Sequence, residues 1–176
     1  MMRRIVLVCI LIALAAVAIW LGLERMRGSA PPEQVAEPET MKTVTLYFGS
    51  KDGSRLAPEY RDIKASDKIL ENLRQVIEAL ISGPAGEGVA LFPTAVKVRG
   101  VYISEKTAYI DFSRDIVGDF AGGTAGEYLL VASIVQTVCA DFPEVDSVGI
   151  LVEGEEVDTI GGHLNVSRPL RPKDWR

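Results

Sequence analysis

The segment AVKVRGVYISEKTAYIDF, residues 95–112, decides the fold class. Val96 and Val98 alternate with Lys97 and Arg99. Further on, Ala108, Ile110 and Phe112 alternate with Tyr109 and Asp111. A period of two belongs to a strand with one buried face. Ser104-Glu105-Lys106 separates the two runs, so they predict a hairpin, with Gly100 as a bulge.

Outward from this hairpin the period changes. Residues 124–140 place Leu130, Val131, Ile134, Val135, Val138 and Cys139 over about 200° of a helix. That is wider than one sheet face needs, so a neighbouring helix or a partner must cover the surplus. Ser133, Gln136 and Thr137 form a narrow polar strip. Residues 147–152 are a further strand, turned by Glu153-Gly154-Glu155. Upstream, residues 66–82 repeat Ile69, Leu73, Val76, Ile77 and Leu80 at helical spacing, with Ser66 or Asp67 as cap and Gly83-Pro84 as stop. Lys42 to Phe48 alternates as a half-buried strand, and Leu56 to Ile63 is a short second strand in which Pro58 argues for an edge. The fold class is therefore α+β: a two-layer domain with two helices packed on one face of a small mixed sheet.

The chain has 176 residues and a net charge of −5. Of its charged residues, 15 Lys+Arg and 20 Asp+Glu fall between Met41 and Arg176. No basic block is present, so nucleic acid is not an expected partner. Cys9 and Cys139 lie in different segments and form no disulfide framework or zinc spacing.

Ile5 to Leu23 is apolar or small throughout, flanked by Arg3 and Arg4 before and Glu24, Arg25 and Arg27 after. As a helix it would reach about 28 Å, near the thickness of a bilayer core. A cleaved signal peptide has a shorter apolar run with small residues at the cut. Cys9 sits inside the run, which suits a lipid-attachment site poorly. The expectation is an uncleaved transmembrane helix with the lipid bilayer as partner. It places a single-pass protein in the bacterial cytoplasmic membrane with its domain on the outer side. The predicted organisation is an anchor with flanks at 1–27, a Pro/Glu-rich linker at 28–41, the domain at 42–170 and a tail at 171–176.

An ordered set of pieces carries a family resemblance. It runs from Val44-Thr-Leu-Tyr-Phe48 through Glu78-Ala-Leu-Ile-Ser-Gly-Pro84, Ala108-Tyr-Ile-Asp-Phe-Ser113 and Gly122-Gly-Thr-Ala-Gly-Glu127. It ends with Val152-Glu-Gly154 and Gly161-Gly-His-Leu164. Residues 42–170 resemble a GerMN domain, the sporulation and germination module. The resemblance implies an extracytoplasmic, membrane-tethered domain similar to ring-building modules, with a helix-strand-strand-helix-strand core. It implies no catalytic residues and no cofactor.

Three constellations invite chemistry, and each has a plainer reading. Gly122, Gly123 and Gly126 open a helix ending this motif at Glu127, but they lack the lysine and spacing of a phosphate loop, so a tight turn capped by Thr124 is expected. Asp111, Asp115 and Asp119 are four apart, but Asp111 belongs to a strand, which spoils a shared helical face for a metal. Ser113, His163 and Asp158 lack the elbow motif of a hydrolase, so an ordinary loop histidine is expected. The chain is read as a non-enzyme without metal or cofactor.

The expected function is a protein-interaction or assembly module in the envelope, through other envelope proteins or self-association. Its candidate surface is the sheet face away from the helices: Lys97, Arg99, Tyr109 and Leu151. The alternative is a small-ligand or cell-wall glycan-binding domain, with Tyr47 and Tyr109 as stacking surfaces. Its pocket would lie between the Gly-rich turn and the loop Gly161, Gly162 and His163.

Overall fold

Ala108, Ile110 and Phe112 are fully buried, so the alternation that predicts one buried face is realised. The computed structural model describes residues 2–27 and 40–175; side chains of the first stretch are described from 12 to 24. It divides into two units, Met1–Pro38 and Glu39–Arg176.

The first unit contains helix α1, Met2–Arg27. The expected transmembrane helix, and the single-pass placement with it, is overturned. Among the described residues no helix is long and apolar enough to cross a membrane. The helix itself forms. Its 26 residues carry Arg3 and Arg4 at one end and Glu24, Arg25 and Arg27 at the other. Of the predicted 28–41 linker, residues 28–39 lie outside the described residues.

The second unit begins with β1 (Met41–Gly49) and β2 (Leu56–Lys64), an antiparallel pair forming its own two-stranded sheet. Helix α2 follows (Ile69–Ile81). Then come β3 (Val98–Ser104), β4 (Thr107–Phe112), the single turn α3 (Asp115–Gly118) and α4 (Gly123–Asp141). β5 (Ser147–Val152) and the short β6 (Glu155–Glu156) complete a four-stranded sheet of order β3-β4-β5-β6. It is mixed: β4 runs parallel to β5 and antiparallel to β3. The α+β class and the packing of helices on a sheet are as expected. The opening strand, however, stands outside the main sheet.

The reason lies in the polar strip of α4. Thr45 and Tyr47 turn their backbone groups away from β2, and α4 receives them. The Asp141 carboxylate accepts from the Thr45 N–H (2.9 and 3.1 Å). Thr137 Oγ1 accepts from the Tyr47 N–H (3.0 Å), and Ser133 Oγ donates to the Tyr47 carbonyl (2.6 Å). Residues 133, 137 and 141 recur every four positions, so one helical row stands in for a neighbouring strand. Pro58 faces Tyr47 in the β1–β2 register, where the ladder asks for no N–H, so it costs no hydrogen bond.

The surplus apolar face of α4 is also accounted for. β1, α2 and the sheet pack against it, and so does the C-terminal segment, a 3-10 turn at Pro172–Asp174. There Gln136 Nε2 donates to the carbonyls of Pro172 and Trp175, and the Trp175 ring lies 5.5 Å from Tyr128. Helix α2 starts three residues later than predicted. Ser66 does not cap it; its hydroxyl accepts from the Lys68 N–H and donates to Glu71. Lys68 occupies the cap position without a side-chain capping bond, its Nζ donating instead to Glu71.

Candidate functional site

The face of the four-stranded sheet opposite α2 and α4 carries alternate residues of each strand. Gly100 and Tyr102 come from β3, Tyr109 and Asp111 from β4, and Gly149 and Leu151 from β5. Tyr102 pairs directly with Tyr109, and the two rings make an aromatic surface. Both glycines make room for it. A Cβ at Gly149 would stand 2.4 Å from the Tyr109 ring, and one at Gly100 equally close to the Tyr102 hydroxyl. Tyr102 is 54% exposed, while Tyr109 and Leu151 are half-buried.

The four residues proposed from sequence are placed as follows. Tyr109 and Leu151 lie on this face. Lys97 is exposed just before β3, its backbone tied to Ser113. Arg99 falls where the register shifts between Val98 and Gly100. Its guanidinium bonds the buried Asp111 (3.2 Å) and Glu153 (2.5 Å). Asp111 also accepts from the Gly154 N–H, and Glu153 from the Arg114 N–H. Arg99 is thus the centre of a clasp holding the β5–β6 turn, whose residues Glu153 and Gly154 both have positive φ as a two-residue hairpin requires. Tyr102 was missed, although the alternation through Val101 and Ile103 already points it outward.

The second proposed region, the two glycine loops, comes together around a buried charge. Glu127 is fully buried. One carboxylate oxygen accepts from the N–H groups of Ile160 (3.0 Å) and Gly161 (2.8 Å). The other accepts from the His163 N–H (2.9 Å) and lies 3.2 Å from His163 Nδ1. Burial pushes this carboxyl up. The N–H groups of Gly161, His163 and Ile160, with the His163 ring, outweigh it and hold it below the ordinary glutamate range. The ring of Phe120 packs between the loops: a Cβ at Gly122 or Gly161 would come within 2.7 Å of it. The space where a ligand pocket was expected is therefore filled by Phe120 and Glu127. A cleft of about 240 Å³ does touch Gly122 and Gly126, but Leu91, Phe92 and Phe120 complete its lining and His163 is not part of it. Gly162, at positive φ, completes the turn, and Gly123, also at positive φ, starts α4. No side chain caps α4, so the expected Thr124 cap does not form.

The remaining constellations are dispersed. Ser113 Oγ donates to Asp115 and accepts from the Lys97 N–H, whereas His163 meets Glu127. Asp111 is committed to Arg99 and Gly154. Among the described residues no group of three His, Cys, Asp or Glu side chains is placed to hold a metal ion.

With this geometry established, comparison with known proteins is informative. The family model described as Germane, sporulation and spore germination, matches residues 45–158. The chain belongs to this family. The matched span runs from the β1 residues that dock on α4 to the turn beyond β6, and so includes the Arg99 clasp and Glu127. Solved structures agree on the fold. The first GerMN domain of the sporulation protein GerM from Bacillus subtilis is 23% identical, with a TM-score of 0.63, over 76% of this chain and 99% of that one. The tandem GerMN domains of the same protein are 21% identical with a TM-score of 0.61, covering 80% of this chain. This chain spans 49% of that tandem, about half its length. A candidate lipoprotein from Clostridium perfringens is 25% identical with a TM-score of 0.50, covering 80% of this chain and 95% of that one. No curated protein matches the chain.

Proposed function

We propose that this GerMN domain is a protein-interaction module of the cell envelope that assembles through the outer face of its four-stranded sheet. The observation that carries the reading is the Tyr102–Tyr109–Leu151 surface, on the sheet face opposite the α2 and α4 helices of the same unit. Aromatic residues are enriched where proteins dock, because they bury large area with few rotamers to freeze. The occupant we assign is a second copy of the chain. The exposed Lys97 lies at the β3 side and the exposed Glu155 and Glu156 at the β6 side. A two-fold axis along the strands would set the β3 side of one copy against the β6 side of the other, joining opposite charges at both rims.

A membrane-associated, extracytoplasmic placement is part of the proposal, supported by the likeness to the Clostridium perfringens lipoprotein. Catalysis is not part of it, because Ser113 and His163 are engaged with different partners. The test is a photo-reactive residue placed at Tyr102 in the full chain in cells, with one at the exposed Tyr60 of β2 as control. The proposal expects a dimer-sized adduct from position 102 and none from 60. Monomer alone from position 102 refutes it, and a single larger adduct with another protein replaces self-pairing by that partner.

A further inference from the structure

Away from the sheet face, a cleft of about 450 Å³ opens between the turn end of the β1–β2 hairpin, α4 and the C-terminal segment. We propose that this cleft binds a small amphiphilic anion: an apolar or aromatic body carrying one carboxylate. Its volume lies in the range of pockets that hold small molecules. Leu129, Ala132 and Trp175 line it, and all three are buried, so the apolar floor is built rather than fortuitous. Tyr47 and Leu56, both half-buried, add further lining.

The charge at this cleft comes from Arg55, which also lines a second cleft holding Glu59 and Glu87, whose carboxylates pair with Arg61 and Lys51. The Arg55 backbone is fixed by Ser50, but its guanidinium makes no hydrogen bond or ion pair among the described residues. Asp52 is coupled to it electrostatically, and one of the two Asp52 carboxylate oxygens, Oδ1, is already committed. Ser50 Oγ, the Ser54 N–H and Ser54 Oγ all donate to it, at 2.5, 3.1 and 2.9 Å. Those bonds, the Ser50 hydroxyl first, hold its carboxyl down at about 2. Asp52 therefore feels Arg55 without clasping it. The cleft offers an apolar bed next to an unspent cation, whereas Arg61 and Arg99 spend theirs within the fold. A guanidinium suits a planar carboxylate, which it binds through two parallel N–H groups.

This inference does not rest on the assembly proposal, since none of its residues lies on the outer sheet face. The probe is 2-naphthoate, titrated into the full-length chain by heteronuclear NMR, with 2-naphthylmethylamine as a ligand of the same shape and opposite charge. For so small a molecule saturable binding is expected with Kd on the order of 1 mM, shifting the signals of Leu56, Leu129 and the Trp175 indole. Arg55 is exposed, so Arg55→Gln leaves the fold intact and should weaken 2-naphthoate about tenfold; Arg55→Lys should keep most of the binding. The amine should bind at least tenfold more weakly than the acid. Absence of saturable shifts at these residues, equal binding of the amine, or binding indifferent to Arg55→Gln overturns the proposal. Tyr102→Lys should leave the titration unchanged.

Discussion

Two regions of this domain handle exposed backbone and polar groups in opposite ways. Along the seam between β1 and α4, and at the Glu127 clasp, polar side chains are drawn inside and each is matched to a backbone group. On the outer face of the main sheet, apolar rings are left outside and only the rim is ion-paired. The difference teaches how to weigh residues of each kind. A polar residue in an otherwise apolar helix marks a backbone that needs a partner. An aromatic pair on the solvent side of a strand hairpin marks a surface with no such duty, free to be used for docking.

Four substitutions sharpen the contrast. The largest effect is expected for Glu127→Ala, which strands the N–H groups of Ile160, Gly161 and His163 in a buried site. A loss of about 3 kcal/mol in urea unfolding is predicted. Next is Gly161→Ala, whose added methyl meets the Phe120 ring; about 2 kcal/mol is expected, with most of it recovered in Gly161→Ala combined with Phe120→Ala. Thr137→Val keeps the shape but leaves the Tyr47 N–H without its acceptor, at a cost of about 1–2 kcal/mol. Tyr102→Lys, on the open face, should change stability by no more than about 0.5 kcal/mol.

Glu127 also sets a pH dependence. Its folded pKa is lowered relative to the unfolded chain, so its carboxylate contributes stability that is fully present above the unfolded value. That contribution is lost as pH falls through the folded value. Wild-type stability should therefore drop on acidification below about pH 4.5, the ordinary glutamate value, and Glu127→Gln should flatten this part of the profile. Unfolding curves taken across the acid range would show an equal slope in both proteins if the clasp were immaterial.

Much of this architecture is legible in the sequence because period and punctuation are local. The hairpin of residues 95–112, the helix after Gly122-Gly123 and the strand at 147–152 all follow from them. What was not legible depended on distant partners. The polar strip of Ser133, Gln136 and Thr137 looks solvent-facing until the unpaired edge of β1 is known to lie on it. Glu127 looks like a surface cap until the Gly161 loop, more than thirty residues away, closes over it. Arg99 passes for a free surface cation because its partners Asp111 and Glu153 arrive from β4 and from the β5–β6 turn. The apolar run from Ile5 to Leu23 suggests a membrane span by its length, whereas among the described residues no helix is long and apolar enough to cross a membrane.

The claim on which the rest depends is that the open sheet face, and not the closed seam, is the surface of assembly. Sedimentation equilibrium of the full chain tests it most directly, comparing wild type with Tyr102→Lys and with Thr137→Val under conditions where all remain folded. The account predicts a dimer for wild type and Thr137→Val and a monomer for Tyr102→Lys. A wild-type monomer, or a dimer that survives Tyr102→Lys, would contradict it.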